Sequence, residues 1–271
     1  MHRWFGLGML LLGAGLALNT LLGPLVADII DYPFTETVRN ETLGLEAVSL
    51  VLIAPLAIIA GILALRGHRA AGVVALGPAA YGAYMFVQYI VGPQYSTYEP
   101  AVLLHLALLI LSGALVVRAW TLIDVGWLPV RSRGWAVVVF LLAAFALSRW
   151  AGPLAGVVTN DPLPVAAPDV TMYWSIFLLD LGIVVPVAIV TGIGLLLREP
   201  WATKALYGVI GWFALVPPSV AAMAVVKVLR DDPVADAGDT VVLLVVALIF
   251  GAVAVWLYAP LFRRPGDPSG V

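Results

Sequence analysis

The sequence predicts an all-α protein, a polytopic bundle of eight transmembrane helices. Three observations support this prediction: the composition, the spacing of eight apolar stretches, and the sorting of loop charges by sign. Of the 271 residues, 62% are hydrophobic and 11% are charged, and the mean hydropathy is +1.05. Soluble domains carry about 25% charged residues, so a water-soluble fold of this composition would have too little polar surface.

Eight apolar stretches have the length that a bilayer requires of a helix, which is about 20 mostly apolar residues. The stretches are continuous rather than alternating, which argues against lipid-facing barrel strands. The predicted spans are 4–26, 45–65, 70–91, 101–120, 134–155, 173–197, 205–228 and 240–262.

The loop charges predict the orientation, because lysine and arginine are retained in the cytoplasm during insertion. Eight spans place both termini on one side, so the loops divide into two sets. The basic set carries Arg3, Arg66, Arg69, Arg118, Arg131, Arg133, Arg198, Lys204, Arg263 and Arg264, and its acids are only Asp124, Glu199 and Asp267. The opposite set carries Asp28, Asp31, Glu36, Glu41, Glu99, Asp161, Asp169, Asp231, Asp232, Asp236 and Asp239, and its bases are Arg39 and Arg230, with Lys227 at the membrane edge. We therefore expect a protein of the prokaryotic plasma membrane with both termini in the cytoplasm.

Two pairs of segments predict a tandem duplication. ALNTLLGPLVADIIDYP at 17–33 aligns with ALSRWAGPLAGVVTNDP at 146–162, and PLAIIAGI at 55–62 aligns with PVAIVTGI at 186–193. Halves of four spans share one orientation, related by an axis along the membrane normal. They either frame a site between them or merely build a larger bundle. The predicted halves, within one integral membrane domain, are 1–130 and 131–271.

Several functional classes are disfavoured. The chain has no cysteine, which removes disulfides, thiolate metal sites, iron–sulfur clusters and c-type haem. It has no basic run for nucleic acid and no zinc-protease, phosphate-loop or nucleophile-elbow motif. We therefore expect no cofactor, metal or nucleic-acid partner, and the balance leans against an enzyme.

Polar side chains inside hydrocarbon are costly, and each marks either function or pairing. Placed by helical rise, they converge on the end of the bundle that carries the acidic loops. The candidate ligand-binding residues are Asp180, Arg149, His105, Gln88, Tyr84, Tyr81, Glu46 and Asn19.

Each candidate also has a structural interpretation. Arg149 is the expected partner of Asp180, either in a polar site open to the outside or as a plain tie between helices. Glu46 fits the first turn of the second span, where the helix dipole favours an acid. His105 relays protons, binds a metal or hydrogen-bonds a neighbouring helix, the last being the commoner role of a lone intramembrane histidine. Trp150 fits an outer aromatic belt.

The third span carries a polar stripe, because Tyr81, Tyr84 and Gln88 lie on one helical face. The stripe predicts a hydroxyl-lined cleft, and Tyr81, near mid-membrane, must find an acceptor. The segment YGAYMFVQYIVGPQY at 81–95, followed by AVLLH at 101–105, resembles a group of functionally uncharacterised bacterial eight-span membrane proteins with a Tyr-rich third span. This resemblance implies a multi-pass bacterial membrane protein and carries over no catalytic residue.

Three functions follow as hypotheses. The first is small-molecule binding or transport through an externally open polar cleft, lined by Tyr84, Gln88, His105, Arg149 and Asp180. The second is a membrane enzyme that acts on a lipid-linked substrate at the outer leaflet, with Asp180 or Glu46 as general acid or base. The third is a non-catalytic sensor or assembly subunit. The expected partners are the lipid bilayer and a small-molecule or lipid ligand, and the sequence does not predict an oligomeric state.

Overall fold

A computed structural model describes residues 2–129, 133–161 and 169–262. The regular structure in these ranges is entirely helical, so the predicted polytopic membrane bundle is confirmed. The helices are α1 (His2–Leu22), α2 (Glu36–Val48), α3 (Ala54–Leu65), α4 (Ala71–Val91), α5 (Ala101–Leu122), α6 (Gly134–Arg149), α7 (Ala151–Thr159), α8 (Val170–Leu179), α9 (Val185–Leu196), α10 (Pro200–Phe213), α11 (Val216–Leu229) and α12 (Ala237–Tyr258).

Seven helical segments of the described chain are long and apolar enough to cross a membrane as they stand. The fifth predicted span is instead a bent pair, because α6 and α7 meet at an angle of 47°. A helix of the length of α6 rises about 24 Å, which is less than the hydrocarbon thickness of about 30 Å. An eighth crossing therefore needs α7 to complete it, and the count of eight stays a prediction.

The second span begins earlier than the apolar stretch suggested. The prediction placed its start at 45, but α2 begins at Glu36, where the Thr35 side chain caps the helix by accepting from the Val38 N–H. The additional turns are polar because they face protein: Asn40 and Thr42 are buried, and α2 packs on α11. A search for runs of apolar residues cannot detect a helical turn that is covered by another helix instead of by lipid.

Two π-helical turns interrupt the spans just before prolines. Ser49–Ile53 joins α2 to α3, and Asp180–Val184 joins α8 to α9. Each is followed by a proline in the first turn of the next helix, Pro55 or Pro186. A proline leaves a preceding carbonyl without its helical donor, and the wider π turn accommodates this break within a continuous span.

The two predicted halves meet where α4 crosses α10 and where α2 packs on α11. A Cβ added to Gly77 would lie 3.2 Å from the Gly211 backbone, so a larger residue there would require α4 and α10 to move apart by a few tenths of an ångström. By contrast α5, α9 and α12 present large apolar side chains outward, as helices facing lipid do. The protein-facing centre of the bundle is therefore α4 with α10.

At the end of the bundle that carries the acidic loops, the side chain of Asp232 connects the loop between α11 and α12 to α2. Asp232 accepts hydrogen bonds from Asn40 Nδ2 at 2.9 Å and from Thr37 Oγ1 at 3.2 Å, both on α2. Burial alone would raise the pKa of the Asp232 carboxyl, but the hydrogen bonds from Asn40, the Val234 N–H and Thr37 hold that pKa below its usual value. The carboxylate form therefore fastens this loop to α2 at neutral pH.

Candidate functional site

Asp180 lies at the first position of its π turn, where it is partly buried and held by two donors. The Tyr84 hydroxyl donates to Asp180 Oδ1 at 2.6 Å, and the Trp150 indole N–H donates to Oδ2 at 2.9 Å. Hydrogen bonds to an ionised acceptor are the stronger kind. These two contacts join α4, the bend between α6 and α7, and the sixth span at one carboxylate.

Arg149 does not pair with Asp180, so the predicted tie between them is wrong. Its guanidinium instead lies 3.5 Å from Asp239 Oδ1 at the start of α12, with both side chains about half exposed. The reason is the bend that follows Arg149. Because α6 ends there, the next residue, Trp150, turns inward to Asp180, while Arg149 is left at the rim.

One face of Asp180 opens on a cavity of about 320 Å³, which we call the polar cavity. It is enclosed by α6, α7, α8, α10, α11 and α12. The polar groups that line it are Arg149, Trp150, Tyr173 and Asp180. Its volume and its mixture of aromatic walls with few polar groups are typical of small-molecule sites.

A second cavity, of about 650 Å³, lies beyond a wall built from Tyr84 and Trp212. The rings of this pair meet edge to face, with centroids 5.2 Å apart, and Trp212 and Phe213 line both spaces. We call the second space the apolar groove, because nearly all of the side chains that line it are hydrocarbon. Tyr84 supplies a hydroxyl group and Thr191 supplies another. Trp212 and Phe213 therefore separate the polar cavity, which Asp180 lines, from the apolar groove, which Tyr84 lines.

His105 belongs to a different cluster, at the top of α1. Its Nε2 shares hydrogen bonds with Asn19 Oδ1 at 2.9 Å and with the Tyr32 hydroxyl at 3.3 Å. Phe86 and Tyr89 pack against the imidazole, which is fully buried. The geometry therefore supports the structural interpretation, in which His105 on α5 hydrogen-bonds a residue of the neighbouring helix α1.

Glu46 is also fully buried, but in the third turn of α2 instead of the first turn of a span. The predicted stabilisation by the helix dipole is therefore wrong, because the helix starts ten residues earlier, at Glu36. Its Oε2 accepts from the Leu25 N–H at 3.1 Å, and Oε1 lies against Gly23 without a hydrogen-bond partner among the described residues.

Tyr81 and Gln88 line neither cavity. The Tyr81 hydroxyl shares hydrogen bonds with Ser219 at 3.1 Å and Ser49 at 3.3 Å, so it finds the partners that its depth demands. Gln88 is buried within the bundle. Of the stripe on α4, only Tyr84 reaches a cavity.

The predicted single cleft is therefore two sites. Asp180 and Arg149 line the polar cavity, and Tyr84 joins them through its hydrogen bond to Asp180, whereas His105 and Asn19 form a closed cluster elsewhere. Trp212 was not among the predicted site residues, and Trp150 and Tyr173 were assigned to an outer aromatic belt, although Trp150 is only 9% exposed. The Gly152-Pro153 pair after Trp150 was the available signal, because it marks a helix break that redirects the preceding side chains.

No protein-family model, no curated protein and no solved structure matches the chain. The resemblance to bacterial eight-span proteins stays a prediction.

Proposed function

We propose that this multi-pass membrane protein binds a small organic cation in the polar cavity. The observation that carries the proposal is Asp180, a carboxylate inside the bundle that faces a cavity walled by aromatic rings. A carboxylate accepts about four hydrogen bonds, so Tyr84 and Trp150 leave capacity for a donor on the ligand. The rings of Trp150, Tyr173 and Trp212 would add cation–π attraction.

Arg149 does not oppose this choice of ligand. It stands at the half-exposed rim and shares its charge with Asp239, and exposed pairs of this kind are screened by solvent. Among the described residues that line the cavity, Asp180 is then the one acid.

Binding is the part of the transport hypothesis that the geometry favours. A polar solute that left the polar cavity past Tyr84 and Trp212 would enter a groove lined by carbon, where its polar groups would lose their hydrogen bonds. We infer no path across the bilayer from these two spaces.

We also infer a tandem duplication and an orientation with the acidic loops outside. The duplication is supported by the π turns, because the interval from Ser49 to Asp180 equals that from Ala54 to Val185 and from Leu65 to Leu196. The orientation in a prokaryotic plasma membrane is supported by the sorting of basic and acidic loops.

Cysteine labelling tests the proposed site, since the chain has no cysteine of its own. Val246 lines the polar cavity, and its neighbour Val245 is 49% exposed on the surface of α12 outside that cavity. In intact cells a membrane-impermeant maleimide is expected to label V246C and to leave V245C unmodified, because a thiol in hydrocarbon stays protonated. Benzylammonium, which carries both the N–H donors and the positive charge that the site is proposed to bind, should slow the labelling of V246C, and benzenesulfonate should not.

The same experiment has a matched control for the carboxylate. Adding D180N to V246C should abolish protection by the cation while the thiol stays reactive. Failure of V246C to react from outside, or equal protection by both ions, would contradict a cation site open to the exterior. Labelling of V190C in the apolar groove from the opposite face would favour transport instead.

A further inference from the structure

The apolar groove has the length and lining of a site for one hydrocarbon chain. Its floor is formed by α4 and α10, and its walls by α5 and by the sixth span from Leu179 to Thr191. Those 12 helical steps rise about 18 Å, slightly more than half of a hydrocarbon core of about 30 Å. The groove therefore spans about one leaflet.

The groove opens sideways to the lipid. Ile183, Val187 and Val190 line it and are about half exposed. A chain can therefore enter from the bilayer without crossing a polar surface. The groove also lies on the far side of the wall of Tyr84 and Trp212 from the polar cavity, so its occupant need not be the ligand of that cavity.

A positive charge stands at the end of the groove nearer the basic loops. Trp120 and Trp201 line this end, and both rings are more than a third exposed. Lys204 Nζ lies 5.8 Å from the Trp120 ring centroid and donates to the Trp120 carbonyl at 3.4 Å. Among the described residues Lys204 has no ion-pair partner. Tryptophan marks the headgroup level of a membrane, so this ammonium lies where a lipid phosphate would lie.

We propose that the apolar groove binds one acyl chain of an anionic phospholipid from the leaflet at the basic end, with the lipid phosphate at Lys204. The carbon lining selects the chain, and the unpaired ammonium selects the charge of the headgroup. If the basic loops are cytoplasmic, this is the inner leaflet, whose anionic lipids attract such side chains. The site is independent of the proposed cation site.

Two substitutions separate the chain from the headgroup. Gly208 lies on the groove floor, and a Cβ there would approach no atom closer than Leu76 Cδ1 at 3.6 Å, so G208L fills the groove without displacing backbone. G251L is the matched control, because nothing lies within 4 Å of a Cβ at that position on α12. K204Q removes the headgroup charge, and R3Q removes a charge at the same end of the bundle.

Native mass spectrometry of the delipidated protein, titrated with phosphatidylglycerol or phosphatidylcholine, measures the result. We expect the wild-type protein to retain one lipid and to prefer phosphatidylglycerol about fivefold, the effect of one cation at a membrane surface. G208L should lose the bound lipid, and G251L and R3Q should keep it. K204Q should bind both lipids equally. A83F, which also fills the groove, replaces G208L if that variant fails to fold.

Three outcomes would overturn the proposal. Equal lipid retention by G208L and G251L would place the chain outside the groove. Equal binding of the two lipids by the wild-type protein would remove the role of Lys204. A dimer without bound lipid would show that a second copy covers the groove.

Discussion

Replacing Asp180 with asparagine is expected to lower the free energy of unfolding by about 2 kcal/mol, the range for a hydrogen bond to a charged group. The amide oxygen can still accept from Trp150, and the amide nitrogen can donate to the Tyr84 oxygen, but the negative charge is lost. Two charge-assisted hydrogen bonds then become weaker neutral ones, in a region of low dielectric. Denaturant or thermal unfolding of the purified protein measures the loss.

The comparison with Arg149 decides between the two interpretations of this carboxylate. R149Q should change the free energy of unfolding by less than about 1 kcal/mol, because its pair with Asp239 is long and half exposed. The double variant should be no more stable than D180N alone. Rescue of D180N by R149Q would mean that the two charges are coupled after all.

The second large effect is expected at the crossing of α2 and α11. A Cβ added to Gly44 would lie 2.5 Å from the backbone of Ala222 and Met223, and backbone cannot move aside as a side chain can. G44A must therefore separate the two helices, and we expect a loss of about 3 kcal/mol, the upper part of the range for overpacking. The melting temperature of the purified variant measures this loss.

Gly251 supplies the matched control for Gly44, since nothing lies within 4 Å of a Cβ there. G251A should leave the stability unchanged or raise it by up to about 1 kcal/mol, because alanine favours the helix more than glycine does. If G44A is as stable as G251A, then α2 does not pack on α11 as described, and the buried positions of Asn40 and Asp232 would need another explanation.

The helical bundle and most of the span positions could be predicted from the sequence, because continuous hydrophobicity is a local property of the chain. The sequence also placed Asp180 among the candidates by its depth, and Tyr84 as a member of the stripe with Tyr81 and Gln88. It could not pair them, since their contact depends on how α4 crosses the sixth span. The predicted pair of Arg149 with Asp180 was wrong for a related reason. Pairing the two residues by opposite charge took no account of the bend between α6 and α7, which directs Trp150 inward and Arg149 outward.

Glu46 and His105 illustrate the same limit at a different place. Both were expected near the outer end of their spans, and both are fully buried inside the bundle. Depth along separate helices does not tell which residues share a side of the bundle. The structure assigns His105 to Asn19 and Tyr32, and it covers Glu46 with the chain near Gly23 and Leu25.

The central claim is that the chain crosses the membrane eight times with its acidic loops outside. Topology reporters test this claim most directly. The bent pair of α6 and α7 is the segment on which the count depends. Reporters fused to the two ends should both be active in the cytoplasm, and a reporter inserted after Val234 should be active outside. Reporters at the two ends on opposite faces would mean that α6 and α7 re-enter instead of crossing, and would contradict the proposed orientation.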